Sequence, residues 1–276
     1  MSYKLICIDV DGTLFGENGT IPDENIRAIE EAYKKGVEIV ISTGRIYSNA
    51  VQISKRINVK SPVIASNGAV VKDWNKGKSI FHSYLKPEEY ERLLELISKH
   101  KLVAHFYTMD KLITYTAIGS AVAYIYKFKN LSKSNKIYVD PTLTLKSLRK
   151  KLKKYDGHVM KCIIYSLDKD RITNFRKDIE ATTDMAVFGA GSYSLEIGPK
   201  GISKGNAVKE LASYLNIDLK DVICIGDNEN DIEMIKNAGL GVAMGNAVEQ
   251  LKEVADYVTD SNINAGVGQV INKFAL

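Results

Sequence analysis

The chain has 276 residues, 38 Lys and Arg against 33 Asp and Glu, a formal net charge of +5, and 45 % hydrophobic residues. These proportions suit one large folded domain or two modest ones, and exclude a disordered or disulfide-framed chain. The longest apolar run, residues 117–126, falls short of the roughly 18–20 residues of a membrane helix, and the N-terminus carries no leader-like pattern; a cytoplasmic protein without a membrane partner is expected.

Residues 4–8 form an apolar strand that ends in Asp9-Val10-Asp11-Gly12-Thr13. Asp23 is placed to cap a helix with Ile26, Ile29 and Tyr33 on one face, and Gly36 ends it. A second buried strand over 37–41 runs into Ser42-Thr43-Gly44-Arg45, followed by a helix over 48–57 and a third strand over 62–65. Trp74 with Asn75-Lys76-Gly77 reads as a hairpin tip. The texture then changes: a helix over 87–100, a hairpin over 103–108 and 112–115, then helix and strand patterns in alternation to about residue 197. Strand–helix alternation resumes with a helix over 203–215 and a strand over 222–225 that ends in Gly226-Asp227-Asn228-Glu229-Asn230-Asp231. A helix over 232–237, a strand over 241–244 and a short helix over 248–254 follow. Short all-apolar strands separated by helices predict an α/β fold, a Rossmann-like, doubly wound parallel sheet. Residues 1–82 and 197–276 are assigned to this core, and residues 83–196 to an inserted α+β unit.

Charge separates the two parts. Residues 83–196 hold 20 basic and 13 acidic side chains, a net of +7, whereas the remainder carries −2. The densest basic run, residues 146–154, reads as a solvated helix face with Leu148 and Leu152 turned inward. Without interleaved aromatic residues to stack on bases, it gives no nucleic-acid partner. His82, His100, His105 and His158 share no ligand spacing, and Cys7, Cys162 and Cys224 read as buried free thiols. Gly189-Ala190-Gly191-Ser192 fits a hairpin turn better than a dinucleotide loop. Tyr107, Tyr124, Tyr126 and Lys161 are open between lining a pocket and packing.

Three core strands end in polar clusters, and ligands bind at the carboxyl ends of strands in open parallel sheets. If these strands are neighbours, at least four carboxylates converge, an arrangement that needs a cation between them. Oxygen donors without His or Cys favour Mg2+ over zinc. A carboxylate there can attack a phosphate ester, given hydroxyl and amide donors and a fixed cation for the phosphoryl oxygens. Thr43, Gly44 and Lys204 supply these, and Asp11, two residues after Asp9, is placed to move the proton.

Together, Asp9-Val-Asp-Gly-Thr13, Ser42-Thr-Gly-Arg45, Lys204 and Gly226-Asp227…Asn230-Asp231 resemble the four motifs of the haloacid dehalogenase superfamily. The long insertion between the second and third motifs is similar to that of the Cof-type, class IIB sugar-phosphatase-like group. The resemblance covers the whole chain, including Asn67-Gly68 and residues 195–205. It implies a C2B-type cap for the insert, Asp9 as nucleophile and metal ligand, and Asp11 as acid/base that also ligates through its backbone carbonyl. It further implies Val10 N–H, Thr43, Gly44, Lys204 and Asn230 as phosphate contacts, Asp227 as a metal ligand, and Asp231 as an orienting group or further ligand. The expected activity is Mg2+-dependent hydrolysis of small phosphorylated metabolites through an aspartyl-phosphate, by a monomer or small homo-oligomer. A phosphoryl transferase or mutase on the same core, or a phosphosugar-binding regulator, are the alternatives.

Overall fold

The computed structural model describes residues 3–129, 138–189, 191 and 193–276. The chain divides into two compact units, residues 1–82 with 203–276, and residues 83–202.

The first unit contains β1 (Leu5–Ile8), β2 (Glu38–Ser42), β3 (Val63–Ala65), β4 (Val70–Asp73) and β5 (Lys78–His82). The second contains β6 (Val103–Tyr107), β7 (Lys111–Tyr115), β8 (Tyr138–Thr142), β9 (Lys161–Tyr165), β10 (Met185–Gly189) and β11 (Ser194–Lys200). The chain returns to the first unit with β12 (Val222–Gly226), β13 (Leu240–Ala243) and β14 (Tyr257–Val258).

The sheet of the first unit has the order β14-β13-β12-β1-β2-β3-β4-β5. Its first five neighbouring pairs, from β14 to β3, are parallel. The β4–β5 pair is the hairpin expected around Trp74, and Gly77 has φ +69°. β1, β12 and most of β2 are buried because helices cover both faces of a parallel sheet, which is why they read as unbroken apolar runs. The three strands with polar ends, β12, β1 and β2, lie side by side in the middle of the sheet.

Helix Asp23–Lys34 begins one residue earlier than an Asp23 cap requires. Pro22 occupies the cap position, no side chain caps the helix, and Asp23 with Glu24 instead places negative charge in its first turn.

The second unit is a six-stranded sheet, β10-β11-β9-β6-β7-β8. A core including Leu93, Ile97, Phe106, Leu148, Leu152, Cys162 and Phe175 lies between this sheet and its helices. The basic run forms helix Leu145–Lys154 and buries Leu148 and Leu152, so its cations occupy the outer face. β10 and β11 pair antiparallel, with Gly191 at φ +95° between them; Ala190 and Ser192 of the expected turn lie outside the described residues.

The C-terminal border of this unit lies at residue 202, not 196. β11 continues through Lys200 against β10, so residues 197–200 belong to the second sheet. Gly198-Pro199 looks like a strand breaker. Here Pro199 falls at an irregularity in the ladder, beyond the last β9 partner, where its missing N–H costs no hydrogen bond.

Candidate active site

Asp9 follows directly on β1, and its N–H donates to the Ile225 carbonyl of β12. Its carboxylate is buried. Lys204, the first residue of helix Lys204–Leu215, is fully buried, and its Nζ donates to Asp9 Oδ1 and Asp231 Oδ1, both at 2.6 Å. Asp231 in turn accepts on Oδ2 from the backbone N–H groups of Asp227 and Asn228, at 3.0 and 3.1 Å. The Asp231 carboxylate therefore orients both the lysine and the backbone of the loop after β12. A Cβ at position 226 would come within 2.5 Å of its Cγ, so glycine is what lets it approach.

Asp227 Oδ1 accepts from Thr13 Oγ1 at 2.6 Å. Its other oxygen presses against Gly12, whose φ is +87° and whose missing Cβ would lie 2.3 Å from Oδ2. Asp9, Asp227 and Asp231 can each offer an oxygen to one point, these atoms lying within 4.8 Å of one another.

One ammonium does not balance three carboxylates. Burial pushes the Asp9 carboxyl well above the usual range, outweighing Lys204, and Asp231 and Asp227 add to the rise. Burial likewise lifts Asp227 to about 6, against the Thr13 hydrogen bond. For Lys204, burial alone would lower the ammonium, but Asp231 and Asp9 together hold it above the ordinary lysine value. The site thus carries excess negative charge in a dry place and offers only oxygen donors, which fits a hard divalent cation. Both Asp231 oxygens are already committed to hydrogen bonds, which fits an orienting role.

The fourth carboxylate stands apart. Asp11 is mostly exposed and forms a two-pronged pair with Arg45, Nε to Oδ2 at 2.7 Å and Nη2 to Oδ1 at 2.5 Å. The Arg45 guanidinium also lies 5.1 Å from the centre of the Phe15 ring. Val10 is buried in the turn after β1, with its carbonyl accepting from Phe15 N–H at 2.9 Å. Thr43 is buried after β2; its Oγ1 accepts from the Arg45 N–H and its own N–H donates to the Ile64 carbonyl. Gly44 sits in the same turn. Asn230 donates from Nδ2 to Asn67 Oδ1 at 3.0 Å, and Asn67 N–H donates to the Thr43 carbonyl, which links the loops after β2, β3 and β12.

Three residues carry roles that the motifs alone did not assign. Thr13 fixes Asp227, Arg45 holds Asp11, and Asn67 orients Asn230. Each stands inside or beside a quoted motif, and that adjacency was the available signal. In the second unit, Lys161 is buried in an ion pair with Glu196 (2.8 Å) and lies 5.3 Å from the Tyr107 ring centre, while Tyr124 is exposed. The Tyr126 side chain lies outside the described residues.

A Rossmann-like α/β sheet whose neighbouring strands β12, β1 and β2 end in these carboxylates, with a buried lysine from the first turn of a helix set among them, defines the class of the core. The family model of the haloacid dehalogenase-like hydrolases matches residues 6–271, and the chain belongs to that family. It is 30 % identical over 277 residues to the 5-amino-6-(5-phospho-D-ribitylamino)uracil phosphatase YcsE of Bacillus subtilis, covering 100 % of this chain and 97 % of the relative. It is 29 % identical to the phosphatase YwpJ of the same organism, covering 97 % and 98 %. Among solved structures, a haloacid dehalogenase-like hydrolase from B. subtilis superposes with a TM-score of 0.83 at 27 % identity, covering 98 % of this chain and 99 % of the other. Among the described residues, no helix is long and apolar enough to cross a membrane.

Proposed function

We propose that the protein is a Mg2+-dependent phosphatase that hydrolyses small phosphate monoesters through an aspartyl-phosphate on Asp9. The observation that carries this reading is the buried Asp9–Lys204–Asp231 chain beside Asp227. It combines a carboxylate nucleophile with a fixed cation and an oxygen-only metal site. Asp9, Asp227 and the Asp11 carbonyl would hold Mg2+, which when bound offsets the charge of the carboxylates and the incoming phosphoryl group.

Asp9 Oδ1 is engaged by Lys204, which leaves Oδ2 as the attacking oxygen. As the Oδ2–P bond forms, the ester P–O bond breaks and the leaving oxygen takes a proton from Asp11. Water then attacks phosphorus, gives its proton to Asp11, and releases phosphate with Asp9 regenerated. Asp11 has to exchange Arg45 for the leaving group during this cycle. Lys204, Thr43, the Gly44 and Val10 N–H groups and Asn230 would hold the phosphoryl oxygens. The inserted unit, residues 83–202, acts in this reading as a cap that selects substrates. Its position between the motifs and its positive charge support that role, as attraction of small anions requires.

The test is a hydrolysis screen over phosphorylated metabolites with Mg2+ or chelator, run beside Asp9→Asn. Chelation should abolish turnover, and Asp9→Asn should lower it by several orders of magnitude with the fold retained. Near-normal turnover by folded Asp9→Asn would exclude the covalent route.

A further inference from the structure

The segment after β13 bears no motif residue, yet it touches both loops that would hold the metal. Met244 N–H donates to the Gly226 carbonyl at 2.9 Å, and Val248 N–H donates to the Asp227 carbonyl at 3.0 Å. Between these two backbone ties, Asn246 donates from Nδ2 to the Gly12 carbonyl at 2.8 Å. Residues 244–248 therefore span from the backbone of Asp227 to the backbone of the Asp9 loop.

The direction of the Asn246 amide is set by its surroundings. Its Oδ1 accepts from the backbone N–H of Asn262 at 2.9 Å, and a backbone N–H can only donate, so the Asn246 NH2 group must face Gly12. Asn262 also donates from its own Nδ2 to the Phe15 carbonyl at 2.7 Å. The loop from residue 12 to 15 is thus held at two carbonyls by two linked asparagines. Gly12 is also where the loop abuts the Asp227 carboxylate, leaving no room for even a methyl group. Moving Gly12 therefore moves the wall against which Asp227 rests, together with Thr13, which donates to that carboxylate.

We infer that Asn246, oriented by Asn262, is a positioning residue that sets the separation of Asp9 and Asp227 and thereby the affinity of the site for its divalent cation. The inference rests on the proposed metal site, and its test reads binding without turnover. Asn246→Asp keeps the shape and the acceptor for Asn262 N–H but replaces the donor facing Gly12 with a carboxylate, which repels that carbonyl. Asn246→Ala removes the donor without adding repulsion, and Asn262→Ala removes only the tie to Phe15.

Mg2+ is titrated into chelator-treated protein by calorimetry, with the thermal unfolding of each metal-free variant measured in parallel. Loss of an outer partner of a ligand typically weakens metal binding by about 10–100-fold. Asn246→Asp should reach that range, Asn246→Ala should fall below it, and Asn262→Ala should lie lower still, with metal-free melting little changed for the exposed Asn246 and modestly lowered for the half-buried Asn262. If wild type binds Mg2+ and folded Asn246→Asp binds it equally well, the role of Asn246 is overturned. Equal weakening by all three variants, in step with lost thermal stability, would reduce it to ordinary loop packing and overturn it too. If wild type itself takes up no Mg2+, the metal site fails and this inference falls with it.

Discussion

Replacing Lys204 by Met removes the one buried cation from a site with three carboxylates. Each of its contacts, to Asp9 and to Asp231, is 2.6 Å long. At an effective dielectric constant near 20, Coulomb's law gives about 6 kcal/mol of attraction per contact, opposed by several kcal/mol for desolvating each ion. The net gain from such a cluster is small, but removing one partner leaves the others buried and uncompensated, a loss of about 3–5 kcal/mol. Urea unfolding of the metal-free protein at pH 7.5 measures it. Trp74 is the sole tryptophan and lies in the first unit, so its fluorescence follows the unit that holds the site. With a slope of about 2–3 kcal/mol per molar urea, the midpoint should fall by about 1.5 M. The deficit should shrink as pH falls and Asp9 takes up a proton, because burial already raises that carboxyl and Lys204 is what opposes the rise. Added Mg2+ should recover part of it. A Lys204→Met protein within about 1 kcal/mol of wild type at pH 7.5 without metal would refute the reasoning, since a cost that small belongs to exposed pairs.

Gly12→Ala should be severe for turnover, because a methyl at φ +87° would lie 2.3 Å from Asp227 Oδ2; Mg2+ calorimetry should show weaker binding, and unchanged affinity would contradict the contact. His105 should make the second unit acid-sensitive. It is buried, it donates from Nε2 to the Gly119 carbonyl at 2.8 Å, and its ring meets that of Tyr165 at 5.0 Å. Burial lowers its pKa, against the Gly119 hydrogen bond. Below about pH 6.5 the unfolded chain binds the extra proton more readily than the folded one, so stability is complete above that pH and is lost on acidification. His105→Gln should flatten the dependence of melting on pH between 5 and 7; an unaltered slope would assign it to other groups.

The site was legible in the sequence where chemistry sits on side chains at the ends of apolar strands. Asp9, Thr43 and Asp227 could be found that way, and the order β12-β1-β2 brings their strands together, whereas Lys204 reaches them from the first position of a helix. The orientation of Asp11 was not legible, because its partner Arg45 comes from another strand end and only the fold decides whether the two meet. Asn246 and Asn262 were hidden for a related reason. Their acceptors are the carbonyls of Gly12 and Phe15, which every residue possesses, and asparagine in a turn is unremarkable on its own. The end of the second unit at residue 202 was less legible, because only the pairing of β11 with β10 shows the strand continuing past Gly198-Pro199 to Lys200.

The three cysteines divide between the two units, Cys7 facing Cys224 in register across β1 and β12, and Cys162 on β9. All three are fully buried free thiols, and burial holds Cys162 and Cys224 well above the ordinary thiol value, so reactive thiolate is scarce in the folded protein. Alkylation therefore has to wait for the sheet around each sulfur to open. Peptide-resolved labelling rates would time the opening of each unit separately, giving the molecule two internal clocks that need no engineered probe.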